Sequence, residues 1–322
     1  MIEIMQAAVL TGPAAMTVAE VARPAPGPGE VRVRLEGCGV CASNVEPYEG
    51  QPWSTFPGDA GGLGHEGWGI VDAAGDGVHD VHVGDRVATL AGRSFAEYDV
   101  ARADAVAVLP AALAGKPFPG EPLGCAMNIF RRADIHAGQT VAIVGIGFLG
   151  AVLTRLATDA GARVIAISRR QSSRDLARAF GAAETIVMDD HYRIIDAVKR
   201  IAGEALCERV IEAVGKQWPL DLAGELVGFG GKLIVAGYHQ DGPRQVSMQM
   251  WNWKGIDVIN AHERDPAVNL RGLREAIDAV ASGRLDPSPL YTHRYTLADV
   301  GAAIEATRDK PDGFVKALVT YA

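Results

Sequence analysis

The stretch from Thr140 to Gly150 constrains the fold of this chain more than any other. It opens with small and β-branched apolar residues, Val141 to Val144, which suit a strand buried on both faces. Glycines follow in the spacing G-x-G-x-x-G, and a helix-length segment comes next. In that setting the first glycine permits a tight turn, the second lets a pyrophosphate approach the backbone, and the third lets helix and strand pack closely. We therefore predict a dinucleotide site at this helix N-terminus, formed by Gly145, Gly147, Phe148, Leu149 and Gly150.

The rest of the chain predicts two domains, because 322 residues exceed the usual size of one core. From Thr140 onward, predicted strands alternate with helical segments, as in a doubly wound parallel sheet. Before that point, short apolar segments between Pro- and Gly-rich turns predict a β-rich region, to which the tail from Leu290 is expected to return. We expect an α/β fold with a β-rich domain over 1–124 and 288–322, and the doubly wound domain over 125–287. The six predicted strands are Thr140–Gly145, Ala162–Ser168, Glu184–Val187, Arg209–Ala213, Lys232–Ala236 and Ile256–Asn260.

Composition excludes several classes of function. A net charge of -8, without a block of basic residues, argues against a nucleic-acid partner. No apolar run reaches the roughly 18 residues that a membrane-spanning helix needs. The first ten residues lack the basic region of a signal peptide, and 4 cysteines in so long a chain do not form a disulfide framework. We expect a cytoplasmic protein that acts on a small molecule, with no membrane partner.

Two stretches in the β-rich half carry residues that can bind metals. Cys38 and Cys41 form a C-x-x-C pair, and His65 is followed by Glu66. No second C-x-x-C exists, which excludes a four-cysteine structural zinc. On the residues alone, this pair is compatible with redox chemistry, half of a zinc site or ordinary core packing. The remaining histidines have no metal-ligand spacing and receive no role: His79, His82, His136, His191, His239, His262 and His293.

The motifs, taken in order, resemble one family over nearly the whole chain. They are C-x-S at 41–43, G-H-E-G at 64–67, G-D-R-V at 84–87, F-A-E-Y at 95–98, E-P-L at 121–123 and the glycine motif. This combination is similar to the zinc-dependent medium-chain dehydrogenases, which include alcohol, sorbitol and threonine dehydrogenases. The resemblance implies a GroES-like catalytic domain, a Rossmann coenzyme domain and a homodimer or homotetramer. One catalytic zinc per chain is expected and no structural zinc, because the four-cysteine lobe of many relatives is missing between Arg86 and Leu109.

The same resemblance implies a set of zinc ligands. Cys41 and His65 match two of them, and Glu66 matches a glutamate that lies beside the metal and can ligate it. Glu121, in the E-P-L form of sorbitol dehydrogenases, is expected to complete the set directly or through water. Cys125 is the alternative at that place, although a buried structural cysteine is the other interpretation. Three protein ligands would leave zinc one open position for a substrate oxygen.

The resemblance also places a proton relay beside the ligands. Ser43 matches the hydroxyl that passes the substrate proton outward. Glu46 stands where alcohol dehydrogenases carry the histidine that ends the relay, so it is either a base or a solvated side chain. Asn44 replaces an aspartate that orients the histidine ligand in many relatives, and we expect its amide oxygen to accept a hydrogen bond from His65.

The end of the second Rossmann strand indicates which nicotinamide coenzyme is used. NAD enzymes usually place a carboxylate there for the ribose hydroxyls. This chain instead has Ser168, Arg169 and Arg170, with Arg174 one turn on, and these residues can bind a 2′-phosphate. We therefore predict NADP(H) over NAD(H). Val214, Gly215 and Gly237 resemble strand ends that contact the nicotinamide through their backbones.

The resemblance implies a zinc-dependent oxidoreductase. It would transfer a hydride between NADP(H) and an alcohol or polyol, or the corresponding ketone or aldehyde. Two alternatives are a zinc-free NADPH-dependent quinone or enoyl reductase of the same superfamily, and a nucleotide-binding protein without turnover. Substrate identity, stereochemistry and physiological direction stay open, since they depend on loop positions.

Overall fold

The computed structural model of this protein describes residues 3–321, which form fifteen β-strands and nine α-helices. The strands are β1 Ile4–Gly12, β2 Ala15–Ala22, β3 Glu30–Gly39, β4 Gly67–Ala74, β5 Arg86–Thr89, β6 Tyr98–Arg102, β7 Val106–Val108, β8 Thr140–Val144, β9 Arg163–Ser168, β10 Glu184–Val187, β11 Cys207–Glu212, β12 Val227–Val235, β13 Asp257–Asn260, β14 His293–Tyr295 and β15 Ala317–Thr320. The α-helices are α1 Val45–Glu49, α2 Gly120–Ala133, α3 Phe148–Asp159, α4 Gln171–Ala179, α5 His191–Ala202, α6 Gln217–Leu226, α7 Met248–Lys254, α8 Pro266–Ala281 and α9 Val300–Asp309.

The chain divides into two compact units. The first unit consists of the residues up to Gly124 together with those from Arg264 onward, and the second unit consists of Cys125–Glu263. The chain returns to the first unit between Glu263 and Arg264, earlier than the predicted boundary at 287/288. Helix α8 therefore belongs to the first unit. It contacts β7, and Leu273 lies so close to Gly120 that a Cβ on this glycine would be 2.4 Å from the leucine side chain.

The first unit is built on a seven-stranded sheet. Its order is β14-β15-β3-β4-β5-β7, and β6 also pairs with β3. Strands β3 and β4 run antiparallel, with Cys38 opposite Gly67. A separate ribbon of β1 and β2 completes the unit's strands. Because β3 and β4 are neighbours, the residues that follow β3 and those that precede β4 lie at the same edge of the sheet.

The second unit is a doubly wound parallel sheet, as predicted. Its order is β10-β9-β8-β11-β12-β13, and all neighbouring strands are parallel. The first half of the sheet grows outward from β8 in one direction and the second half from β11 in the other. Ligands of such sheets bind beyond the carboxyl ends of the strands at this reversal. Here that place lies beyond Val144 and Glu212.

The apolar sequences of these strands explain the core of the second unit. Ala142, Ile165, Val210 and Leu233, from four adjacent strands, are buried in one cluster with the helices α5 and α6. Strands covered on both faces need continuous apolar runs, which this chain supplies. The expected α/β fold with a β-rich unit is therefore confirmed. Between residues 3 and 321, no helix has the length and apolar character needed to cross a membrane.

Candidate active site

Three side chains that can bind a metal meet at the edge of the sheet in the first unit. Cys41 comes two residues after β3 ends, and His65 and Glu66 come directly before β4 begins. Within the described part of the chain, their ligand atoms form one group in which each lies within 4.8 Å of the others. The antiparallel pairing of β3 with β4 therefore accounts for the meeting of residues that are more than twenty positions apart in sequence.

His65 is oriented through a backbone carbonyl. Its Nδ1 donates to the carbonyl oxygen of Leu63 at 2.8 Å, so Nε2 is the ring nitrogen that could bind a metal ion. Asn44, which is 2% exposed, donates from Nδ2 to the same carbonyl oxygen at 2.8 Å. Leu63 has a left-handed backbone, with φ 71°, and this conformation directs its carbonyl toward both donors.

The prediction of a hydrogen bond from His65 to the amide oxygen of Asn44 is wrong. The amide oxygen of Asn44 accepts instead from the backbone N–H of Cys41 at 2.9 Å, so the side chain has only its NH2 group to offer near His65. Asn44 therefore links the loop of Cys41 to the loop of His65: its amide oxygen accepts from the Cys41 backbone, and its amide nitrogen donates to the Leu63 carbonyl.

Glu66 is completely buried, and its two oxygens have different surroundings. Oε1 accepts from Lys316 Nζ at 2.6 Å, whereas Oε2 has no hydrogen-bond partner among the described residues. Burial lowers the pKa of Lys316, but the charges of Glu66 and Cys41 outweigh this effect and the net pKa is raised. A buried carboxylate oxygen without a partner is costly, and a metal ion would satisfy it. Gly39 leaves room for this oxygen, since a Cβ there would lie 1.9 Å from it.

The charges around His65 suit a cation. Burial lowers the pKa of His65, but a hydrogen bond with Cys41 and the charges of Cys41, Glu121 and Glu66 raise it to about 10. The same negative field would favour a divalent metal ion. This pattern of a thiol, an imidazole and a carboxylate is the donor set that zinc prefers.

Glu121 lies near this group but outside it. It is the second residue of α2, and its charge reaches His65 and Lys316. It does not join the group of ligand atoms that lie within 4.8 Å of one another in residues 3–321. Cys125 follows Glu121 by one helical turn. The residue that completes the site therefore stays a prediction. Cys38, by contrast, is buried and donates from Sγ to its neighbour's carbonyl, so it is a core residue.

The predicted relay residues follow Cys41 directly. Ser43 is half-buried in the turn Ala42–Asn44, and Glu46 is in the first turn of α1. The carboxylate of Glu46 accepts from Gln51 Nε2 at 2.6 Å. Tyr48 packs in the core, and its hydroxyl donates to Glu305 at 3.0 Å. Burial, together with this hydrogen bond, raises the pKa of Tyr48 to about 12.

The glycine loop of the second unit has the geometry that the sequence predicted. At Gly150 a Cβ would lie 2.1 Å from the carbonyl oxygen of Gly145, so helix α3 packs on this turn as only glycine allows. At Gly147, the N-cap of α3, a Cβ would meet nothing within 4 Å. The space beside Gly147 is therefore open to a ligand, and Phe148 and Leu149 begin the helix there.

The basic residues after β9 have different roles. Ser168 ends the strand, Arg169 is exposed, and Arg170 is the half-buried N-cap of α4. Arg174 is buried and donates from Nη1 to the carbonyls of Ser168 at 3.1 Å and Arg169 at 2.7 Å. Its guanidinium therefore supports the loop from within, which leaves Ser168, Arg169 and Arg170 as the better candidates for contact with a 2′-phosphate.

The strand ends predicted to contact nicotinamide are organised by Glu212, whose role the sequence analysis missed. Its Oε1 accepts from the N–H groups of Val214 at 2.7 Å and Gly215 at 2.8 Å. Its backbone carbonyl accepts from the N–H of Gly237 at 2.8 Å. These three N–H groups are therefore engaged by the protein. In the sequence, the signal for this role was a glutamate at the end of an apolar strand, followed by A-V-G at 213–215.

Two family descriptions match the sequence. The description "Alcohol dehydrogenase GroES-like domain" matches residues 27–111, and "Zinc-binding dehydrogenase" matches residues 149–281. The first covers the β-rich part that holds Cys41, His65 and Glu66, and the second begins just after Gly147 and covers strands β9 to β13 and helix α8.

Individual relatives and a solved structure are also similar. The sorbitol dehydrogenase of Gallus gallus is 26% identical, over 88% of this chain and 88% of that protein. The 2-dehydro-3-deoxy-L-galactonate 5-dehydrogenase of Pseudoalteromonas atlantica is 26% identical, over 98% of both. A protein of Sinorhizobium meliloti 1021 assigned as a zinc-binding dehydrogenase, solved with NADP bound, superposes with a TM-score of 0.84 at 27% identity, over 99% of this chain and 100% of that one.

Proposed function

This chain belongs to the zinc-dependent medium-chain dehydrogenase/reductase superfamily, and from that premise we propose that it transfers a hydride between NADP(H) and an alcohol or polyol, or the corresponding ketone or aldehyde. Its relatives include a sorbitol dehydrogenase, an L-galactonate-5-dehydrogenase, an alcohol dehydrogenase and a D-xylulose reductase, and the chain is an oxidoreductase of this alcohol-dehydrogenase type. The observation that carries the zinc-dependent proposal is the group of Cys41, His65 and Glu66, in which one buried carboxylate oxygen of Glu66 has no hydrogen-bond partner within residues 3–321.

In this proposal Cys41 and His65 hold a single zinc ion, Glu66 lies beside it and can also bind it, and Glu121 completes the site, with Cys125 as the alternative. Bound zinc would supply a Lewis acid that polarises the substrate oxygen. The protein prepares the site by fixing the His65 ring through the Leu63 carbonyl and by fixing Glu66 through Lys316. Preorganised ligands of this kind lower the cost of ordering the site when the metal binds.

The chain's own groups would move the proton. When an alcohol is oxidised, its hydroxyl proton must leave as the hydride departs to the coenzyme. We assign Ser43 to receive that proton, because it follows the ligand Cys41 by two residues and is half-buried. Glu46, whose carboxylate is held by Gln51, is the next group along α1 that could accept it.

The coenzyme is proposed to bind the second unit beyond the carboxyl ends of β8 and β11. Its pyrophosphate would lie at Gly147, where the N-terminus of α3 offers free space and a favourable dipole. The 2′-phosphate would meet Ser168, Arg169 and Arg170. No carboxylate ends strand β9 to repel that phosphate, which supports NADP(H) over NAD(H).

Steady-state assays with the metal-replete protein test this proposal. NADPH oxidation is measured with a panel of ketones and ketoses, and NADP+ reduction with alcohols and polyols. We expect turnover in at least one series, a higher kcat/KM with NADPH than with NADH, and loss of turnover in Cys41→Ser. Equal kcat/KM values for the two coenzymes would overturn the coenzyme assignment alone.

A matched pair of variants tests which residue completes the metal site. Glu121→Gln keeps the size of the side chain but removes its charge, and Cys125→Ser removes the alternative ligand. We expect zinc affinity to fall in Glu121→Gln and to stay unchanged in Cys125→Ser. The reverse result would assign the third ligand to Cys125.

A further inference from the structure

A linked set of polar side chains joins two loops at the carboxyl edge of the second unit's sheet. His239, in the loop that follows β12, lies between Glu212 at the end of β11 and Arg244 further along its own loop. The Nε2 of His239 is 3.0 Å from Glu212 Oε2, and Arg244 Nε donates to His239 Nδ1 at 2.8 Å. Glu212 is fully buried, and the side chains of His239 and Arg244 are each 14% exposed.

The direction of these hydrogen bonds is fixed. Arginine can only donate, so Nδ1 of His239 must be the acceptor. Nε2 must then carry the proton and donate to the carboxylate of Glu212. His239 is therefore held as the neutral tautomer with its proton on Nε2, between a cation and an anion. A side chain that replaced it would need an acceptor toward Arg244 and a donor toward Glu212.

Arg244 makes further hydrogen bonds that connect the two loops. Its Nη2 donates to the carbonyl of Gly215 at 3.0 Å and to Asp241. Asp241 also accepts from Lys216 Nζ at 2.8 Å. The hydrogen bond from Lys216 and then that from Arg244 lower the pKa of Asp241 to about 2. The loop after β12 is thereby tied to residues 215 and 216, which follow β11.

Backbone packing shows how closely the two loops approach. A Cβ on Gly237 would lie 2.2 Å from the N atom of Gly215, and a Cβ on Gly215 would lie 2.6 Å from the carbonyl oxygen of Tyr238. The loop after β11 in turn touches the glycine loop, since a Cβ on Gly145 would lie 2.4 Å from Val214. The three loops form a continuous wall at the reversal of the sheet, where a dinucleotide binds.

We propose that His239 is a positioning residue for the dinucleotide, because it ties the loop after β12 to the loop after β11 and so fixes one wall of the coenzyme site. This inference rests on the proposed coenzyme-binding function. It gives a role to a histidine that has no metal-ligand spacing, and it concerns a part of the chain outside the predicted metal ligands. Preorganised loops spare the bound coenzyme the cost of ordering them.

Binding of NADPH to the metal-replete protein in the absence of substrate, followed by fluorescence titration, tests the inference without turnover. His239→Leu removes both hydrogen bonds, and we expect the Kd for NADPH to rise about tenfold. His239→Gln can accept from Arg244 and donate to Glu212, so its Kd is expected to stay within about threefold of the parent value. Arg244→Met removes the same link from an exposed loop and is expected to match His239→Leu.

His136→Leu serves as the control, because His136 is exposed and precedes β8, at the opposite edge of the same sheet. Its Kd should equal that of the parent. Equal affinity in the parent, His239→Leu and Arg244→Met would overturn the inference while leaving the proposed function intact. Equal losses in His239→Leu and His239→Gln would overturn the argument from hydrogen-bond direction. A parent protein that binds no NADP(H) would overturn the proposed function itself.

Discussion

Replacing two glycines of the dinucleotide loop, Gly147 and Gly150, by alanine is predicted to have different effects on stability and on NADPH affinity. Gly147 has φ -103°, which alanine adopts freely, and its added Cβ would meet no protein atom within 4 Å. Alanine is a poorer N-cap than glycine, but it also loses less entropy on folding. These effects are each about 0.5–1 kcal/mol and oppose one another. Gly147→Ala should therefore keep the stability of the parent within about 1 kcal/mol.

The Cβ that Gly150→Ala adds would clash with the protein backbone. The added Cβ would lie 2.1 Å from the carbonyl oxygen of Gly145 and 3.1 Å from its carbon. A carbon atom needs about 3.3 Å from such an oxygen, so the helix or the turn must move by roughly 1 Å. Overpacking of this kind costs about 1–3 kcal/mol, which corresponds to a fall in Tm of roughly 5 °C for a protein of this size.

Thermal melting and NADPH titration separate the two effects. Gly147→Ala should melt like the parent but bind NADPH at least about tenfold more weakly, since its methyl group occupies the approach of the pyrophosphate. Gly150→Ala should lose both stability and affinity. The reasoning is refuted if Gly147→Ala binds NADPH as tightly as the parent, or if the two variants lose the same stability.

Three further variants test other parts of the account. In Asn44→Asp, a carboxylate oxygen would face the Leu63 carbonyl oxygen, which in the parent accepts from Asn44 Nδ2 at 2.8 Å. Zinc affinity, measured by chelator competition, should therefore fall about 10–100-fold. Unchanged affinity would contradict the assigned role of Asn44. Ser168→Asp should lower the ratio of kcat/KM for NADP+ over NAD+ by at least about tenfold, and an unchanged ratio would remove Ser168 from the phosphate site. Tyr48→Phe should cost about 1 kcal/mol at pH 7 in urea unfolding, because the hydrogen bond to Glu305 is lost. Because the pKa of Tyr48 is raised to about 12, its neutral phenol stabilises the fold below pH 10. This contribution is lost as the pH rises toward 12. The stability of Tyr48→Phe should therefore fall less than that of the parent over this alkaline range.

The sequence predicted the doubly wound sheet well because its strands are continuous apolar runs. Strand β12 was the exception, since it begins at Val227, five residues before the predicted start. The segment Val227–Gly231 contains three glycines, which are typical of a turn. Pairing of Cys207 with Val227 nevertheless extends the strand at that end.

The β-rich unit was harder to predict in detail. Strand β2 is hard to predict because its residues are exposed or half-buried along its whole length and it pairs only with β1. Strand β6 is hard to predict because its five residues include two charged ones, Asp99 and Arg102. Short strands with mixed patterns give little periodicity, and their pairing depends on contacts far along the chain.

The candidate metal group could be predicted by resemblance, whereas the residues that support it could not. Lys316 is 250 positions from Glu66, and no spacing rule links them. The Leu63 carbonyl is a backbone group whose orientation depends on a left-handed φ. The link between Glu212 and His239 likewise requires knowing that two loops meet. Each of these contacts arises from tertiary packing, which the sequence does not reveal at single positions.

The zinc content of the metal-replete protein tests the central claim most directly. Elemental analysis is made of the parent, Cys41→Ser and Cys125→Ser, with correct folding of each verified by thermal melting. We predict about one zinc per chain in the parent and in Cys125→Ser, and loss of zinc in Cys41→Ser. No zinc in the replete parent would contradict the account, and it would leave the zinc-free quinone or enoyl reductases as the branch of the superfamily to test.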